Sequence, residues 1–352
     1  MPRRFITLMA IALATALLTG CGGNEDTSAP AATDPAASTS AEEPSLPEAI
    51  TARGAKRVDL SDLLMTEHTN TEEPDWLVTG FGSLWAKQGG GDVLRVDLET
   101  GKLVTEIGDR EPGERPLGGH LCQGLGVSDE AIWSCPQVGT IARIDPQTNE
   151  IAATVRLDNF GDQGRLVSAA GHVWVLTDSG ATLTGIDTRT NKPSTTIKLG
   201  GRCADLAADE TTVWAMCPLE DRLLRIDAEA AEVDDKLELA GAGHASVADD
   251  LWVGFEGGVA QIDPESLEVV AVYDLSARYN GAILATPDSV WVRVEGGPFL
   301  ARIDPETQRI VETIEAPRLQ SGGDVIQVGD SIWATAYDDL ALVQLRTDAG
   351  SG

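Results

Sequence analysis

Tryptophan recurs along this chain at a nearly fixed interval, and that interval restricts the fold more than any other feature. Seven of the eight tryptophans stand at Trp85, Trp133, Trp174, Trp214, Trp252, Trp291 and Trp333, separated by 48, 41, 40, 38, 39 and 42 residues. An aspartate follows each of the first six after 11 to 13 residues: Asp97, Asp145, Asp187, Asp227, Asp263 and Asp304. Three of these open the same turn, Ile144-Asp145-Pro146, Ile262-Asp263-Pro264 and Ile303-Asp304-Pro305. Repetition at this period marks an array of supersecondary units. Residues 164–199 show what one unit holds: RLVSAA, HVWVLT, TLTGID and STTIKL, four short β-rich runs parted by turn residues. Such a unit is a four-stranded antiparallel meander. Seven of them in series predict an all-β, seven-bladed β-propeller spanning 55–352.

The repeated residues have structural tasks. Each indole brings roughly 150–250 Å² of surface to bury, enough to wedge between neighbouring blades. An aspartate followed by proline, then Thr or Ser, suits a hairpin turn, because the carboxylate accepts backbone N–H groups while proline presets φ. The seventh unit offers three runs, DVIQVG, SIWATA and LALVQLR, with no fourth after them. Ala55–Leu60, ahead of the first inner strand at Asp75–Val78, is expected to serve as the outer strand of that last blade and remove two open edges.

Cys122 and Cys203 each lie 11 residues before a periodic tryptophan, and Cys135 and Cys217 two and three residues after one. Each pair brackets the hairpin between the first two strands of a blade, within reach of a disulfide. Of the three possible connectivities, 122–135 and 203–217 are expected. Bonds closing loops of this size contribute about 3 kcal/mol in the chain-entropy view, and they fit an oxidising compartment.

The N-terminus is of another kind. Arg3 and Arg4 precede an apolar run from Phe5 to Leu18, 14 residues. As a helix it would reach roughly 21 Å, short of a bilayer core, so residues 1–21 read as a signal segment. The run ends in Leu18-Thr19-Gly20-Cys21, which resembles the bacterial lipobox; that resemblance implies diacylglycerol on Cys21 and a protein held by lipid at the outer face of the cytoplasmic membrane. Residues 22–54 are rich in Ala, Ser and Pro, with six carboxylates and no Lys or Arg before residue 51, and read as a disordered tether. Removing the two arginines of the signal and the six carboxylates of residues 22–50 from the formal charge of −30 leaves −26 on residues 51–352. A body so acidic repels phosphate backbones, so no nucleic-acid partner is expected.

Segments such as TIARIDPQTNEIAATVRL (140–157) and FLARIDPETQRIVETIEAP (299–317), alternating with GHVWVLT and DSIWATA, resemble the YVTN-type propeller repeat family. Its wider group includes YncE-like periplasmic propellers and relatives of streptogramin B lyase (Vgb-like). The resemblance spans 55–347 and implies the propeller fold, DNA binding in YncE-like members, and a Mg²⁺-assisted His/Glu site in the lyase. No catalytic residue carries over, because the shared positions are the turns and wedges.

In propellers, the connections from one blade's outer strand to the next blade's inner strand converge on the channel mouth. Here they carry His68, Arg115 with His120, Arg165, Arg202, His244, Arg278 and Arg318. One basic or titratable group per blade suits capture of an anionic small molecule, since guanidinium forks match carboxylate and phosphate. Alternatively these residues pair with Asp162, Asp205 and Asp324 and fasten the loops. His244, opening an inner strand, is the best placed acid–base group. No calcium loop, HExxH, GxSxG or glycine-rich phosphate loop is present, and no cofactor or metal is expected. The reading is a monomeric ligand-capture or scaffold protein, with an envelope protein as the other partner class; the alternative is a metal-assisted lyase or hydrolase.

Overall fold

The computed structural model describes residues 46–68, 72–108, 124–160, 164–276 and 279–347. The signal segment with Cys21, the tether as far as residue 45, and Arg115, His120, Cys122, Asp162 and Arg278 lie outside the described residues. Among the described residues the strands form seven sheets. Each holds four antiparallel strands, and each inner strand touches the inner strand of the next, the seventh returning to the first. The fold is a seven-bladed β-propeller.

The period follows from how the blades stack. Every periodic tryptophan lies on the second strand of its blade and is at most 3% exposed. Each packs into the neighbouring blade: Trp85 against Leu125, Ile132 and Ile144, and Trp174 against Leu206, Val213 and Ile226. Trp333 of the last blade meets Leu77, Leu84 and Val96 of the first, so the circle closes with the same contact that builds it. Both faces of a blade are covered, which is why runs such as Val173-Trp174-Val175-Leu176 are continuously buried and lack a strict in–out alternation.

Across the ladder from each indole, on the third strand, stand Arg95, Arg143, Gly185, Arg225, Gln261, Arg302 and Gln344. The Arg95 guanidinium lies 4.8 Å from the Trp85 ring centroid and donates to the Pro146 carbonyl, 2.6 Å away in the next blade's turn. Arg225 donates in the same way to the carbonyls of Pro264 and Glu265. In the third blade the position is glycine, where a Cβ would come within 3.0 Å of the Trp174 ring. The aspartate turns close as the spacing predicts: Asp263 accepts the backbone N–H groups of Glu265 and Ser266, and Asp304 those of Glu306 and Thr307.

The N-terminal segment departs from expectation. The strand that completes blade seven is Leu64–His68 and not Ala55–Leu60. In chain order, β1 (Ile50–Thr51) pairs in parallel with Val269–Asp274 outside blade five. Strand β2 (Lys56–Asp59) pairs in parallel with Arg309–Glu315 outside blade six. A four-residue turn of helix, α1 (Leu60–Leu63), capped by the Asp59 carboxylate, then leads into β3 (Leu64–His68), antiparallel to Ala341–Arg346. Pattern explains the difference: Lys56-Arg57-Val58-Asp59 has one apolar residue and suits an outer rim, where Lys56 and Arg57 meet Glu312 and Glu315. Leu60 and Leu63, each 5% exposed, fill the blade six–seven core. Ile50 and Thr51 lie within the stretch read as tether, so the ordered rim starts ahead of residue 55.

Two outcomes test this architecture by thermal melts. Deleting residues 46–52 removes only β1 and should leave one cooperative transition, whereas deletion through His68 opens blade seven and should lower the midpoint by roughly 10 °C or more. Trp333→Ala at the seam should cost about 3–5 kcal/mol in denaturant unfolding.

Candidate functional site

The connections that lead into the inner strands converge on one end of the channel, where Arg165, Asp205, His244 and Asp324 form a cluster. Asp205 heads the inner strand Asp205–Ala208 of blade four and is 1% exposed. One of its oxygens accepts the backbone N–H of Arg165 at 3.2 Å, and the other meets His244 Nδ1 at 2.8 Å. An ionised carboxylate can only accept, so Nδ1 carries the proton. Asp324, also 1% exposed, precedes the inner strand of blade seven. It accepts Arg165 Nη2 at 2.7 Å and the N–H groups of Val325 and Leu77 at 2.8 and 2.9 Å.

At the centre lies Trp76, the one tryptophan outside the repeat. The Arg165 guanidinium stacks 4.6 Å from its ring centroid, and the His244 ring meets it edge-on at 5.4 Å. Below the cluster is a cavity of about 280 Å³, walled by Leu77, Val127, Leu166 and Ala207 and reached by Trp76, Arg165 and Asp324. Two buried donors beside it, the Trp76 indole N–H and the Arg165 Nε–H, have no acceptor. Leaving a buried donor unmet costs about 1–3 kcal/mol.

The two carboxylates titrate in opposite senses. Burial opposes the charge on Asp205, but the hydrogen bond from His244 and the positive fields of His244 and Arg165 outweigh it and hold the carboxyl below its ordinary value. For Asp324 burial prevails over Arg165 and the two backbone donors, and the carboxyl is pushed up.

Of the residues expected at the mouth, the structure brings Arg165 and His244 together, each matched to a buried aspartate, Asp324 and Asp205. Arg202 is exposed, and Arg318 lies 3.9 Å from Glu67 at the surface. His68 stacks on Trp333, 6.1 Å between ring centroids. His172 bonds Ala170 and Ser194 on the opposite face. Cys203 and Cys217 form the expected disulfide beside Asp205; Cys135 is disulfide-bonded, and Cys122 lies outside the described residues. At the far end of the channel the first hairpins carry Asp129, Glu130, Asp209, Glu210, Asp249, Asp250, Asp288 and Asp330 with no Lys or Arg, so that end is acidic.

Sequence reasoning missed Trp76, whose signal was its failure to fit the repeat. It also missed Arg293, which is 1% exposed and donates to the carbonyls of Thr335, Phe299 and Ser321. Burial pulls its guanidinium down to about 9, which leaves it charged near neutral pH. By bonding Ser321 it secures the connection that carries Asp324. Its signal was an arginine two residues after Trp291, where blade one places Lys87 and the others Cys135, Leu176, Met216, Gly254 and Thr335.

Among the described residues no group of three His, Cys, Asp or Glu side chains stands where it could hold a metal ion, and His244 Nδ1 is already engaged. These residues do not fit the Mg²⁺ site that the lyase resemblance implies.

The fold has many solved counterparts. U3-55K aligns over 82% of this chain and 99% of its own, with TM-score 0.66 and 11% identity. A chain of Kuenenia stuttgartiensis hydrazine synthase aligns over 80% of this chain and 97% of its own, with TM-score 0.59 and 13% identity. BamB from Moraxella catarrhalis aligns over 82% and 98%, with TM-score 0.57 and 13% identity. Identities this low carry the fold alone. No family model and no curated protein matches the sequence.

Asp205→Ala should lower stability at pH 7 by about 3 kcal/mol, because it leaves His244 and the Arg165 N–H buried without their acceptor. Asp205 adds stability above the ordinary value of 3.8 that is lost as pH falls through its lower folded value. The gap between variant and parent should therefore close below about pH 4 in urea titrations. Asp324, shifted upward, costs stability as pH rises through its folded value. Its replacement by Asn should be the milder change.

Proposed function

We propose that this protein is a ligand-capture protein of the cell envelope, exported, anchored by diacylglycerol on Cys21, and built on a propeller of the YVTN type. The observation that carries the binding reading is the concave channel cavity of about 280 Å³, lined by Leu77, Val127, Ser168 and Ser246, on which Trp76, Arg165 and Asp324 converge. The address rests on the basic n-region, the short apolar run and the Leu-Thr-Gly-Cys sequence at 18–21, and the disulfides agree with it.

The matching of Arg165 with Asp324 and of His244 with Asp205 favours binding over catalysis. The charged groups are committed to one another, Arg165 to Asp324 and His244 Nδ1 to Asp205. The acidic hairpins at the far end remain available to an envelope protein partner.

Two measurements test the reading. Cys21→Ser should shift the protein from the membrane fraction to the soluble fraction and abolish lipid labelling. A thermal-shift screen of metabolite fractions against the unlipidated mature chain should find a stabilising fraction, since a specific ligand raises apparent stability. That shift should disappear in Ala207→Phe, which fills the cavity. Persistence of the shift in the filled variant would move the site elsewhere.

A further inference from the structure

We propose that the notch between blades five and six, at the acidic end of the channel, binds the guanidinium of an arginine side chain presented by a partner protein. The site is separate from the channel cavity, so the channel-capture reading neither supports it nor falls with it.

Three observations carry it. The first is a latch that the chain already uses. Arg95 of blade one crosses to blade two and donates to the Pro146 carbonyl, and Arg225 of blade four crosses to the Pro264 and Glu265 carbonyls of blade five. A guanidinium is thus the group these turns accept where the molecule fills them itself. The second is a missing counterpart. The same ladder position in blade five is Gln261, which stays within its own blade. Its Nε2 donates to Asp250 at 2.6 Å, and its Oε1 accepts from the Tyr273 hydroxyl at 2.9 Å. It supplies no donor to the matching turn of blade six, Pro305-Glu306. The third is the space left there. A cavity of about 250 Å³ opens between the two blades, lined by Asp249, Asp250, Trp252, Pro305 and Glu306 among others. Asp249 and Glu306 are exposed and Asp250 is half-buried, so an entering group can reach them. No Lys or Arg lines this cavity. The charge favours a cation, and a planar fork of donors fits neighbouring carbonyls and carboxylates better than an ammonium does. The notch between blades two and three differs on this point. It keeps Arg143, 3.5 Å from Glu130, together with Arg189, and those arginines would repel a second guanidinium.

The test titrates the Nα-acetyl methylamides of arginine, lysine and citrulline into the mature chain carrying Cys21→Ser. Physiological ionic strength screens diffuse attraction to the acidic end, and the Trp252 indole N–H resonance reports occupancy by NMR. Blocked arginine should shift that resonance. It should bind at least tenfold more tightly than lysine, which lacks the fork, and citrulline, which lacks the charge. Gln261→Arg supplies the latch from within and should weaken arginine at least tenfold. Asp249→Asn combined with Asp250→Asn should weaken it about tenfold and serves if the first variant is poorly folded. Equal binding of lysine or citrulline overturns the guanidinium assignment. Unchanged arginine affinity in a folded Gln261→Arg chain, or in the double variant, overturns the notch as the site. Tighter binding of butylguanidine, which has no peptide groups, than of blocked arginine overturns the protein partner in favour of a small guanidino compound. No shift with blocked arginine at millimolar concentration overturns the proposal as a whole.

Discussion

The structure depends on one contact made seven times: an indole from the second strand of a blade buried in the face of the next blade. A four-stranded blade cannot cover both of its apolar faces alone, so each needs a neighbour on either side, and the chain satisfies all of them only by closing on itself. Trp333 against Leu77, Leu84 and Val96 is the contact that does so. The chain itself crosses that seam, from β3 in blade seven to the inner strand Pro74–Gly80 of blade one, and the circle is closed within blade seven, where β3 pairs with Ala341–Arg346 by hydrogen bonds and burial. Arg95 and Arg225 add a second link of the same direction, from one blade to the turn of the next. The stability of the ring is therefore shared among nearest-neighbour interfaces, and damage at the seam is felt at both chain ends.

Closure also creates the polar cluster. Residues 165 and 324 belong to connections before blades three and seven, and 159 positions of sequence separate them, yet their side chains meet at 2.7 Å. Only a ring with a narrow channel brings such positions together. Arg165 then links three parts of the circle, through its side chain to Asp324, through its backbone to Asp205, and through its stacked guanidinium to Trp76. The pairing resolves the contradiction between an acidic body and a line of basic loop residues: carboxylates are carried into the channel mouth to meet them.

The blade number, the second-strand position of the tryptophans, the aspartate turns and the 203–217 bond were legible in the sequence, because each is a local pattern repeated at a fixed offset. What escaped depends on where the ring closes. Ala55–Leu60 and Leu64–His68 both precede the first inner strand, and only the turn at Leu60–Leu63, which buries two leucines between blades, decides which of them reaches blade seven. Arg165 and His244 were legible as members of the mouth, and Asp205 and Asp324 as candidate partners. Which arginine would meet which aspartate across the channel was not, since pairing at that distance is set by the ring radius and not by spacing along the chain. Trp76 was hidden by the regularity of the other seven.

A purely structural brace and a ligand site make different demands on the same cluster. A brace is complete when its polar groups are satisfied, as the aspartate turns are. This cluster satisfies its acceptors and leaves two enclosed donors, the Trp76 indole N–H and the Arg165 Nε–H, unmet. Filling the void with a larger apolar side chain would have removed the cavity without serving those donors. An occupant of the cavity that packs against Trp76 and Arg165 would tie blade one to the connection ahead of blade three, through the residue that already reaches blade seven. Binding would then add to the same interfaces that close the ring, so occupancy and fold stability are linked through Arg165.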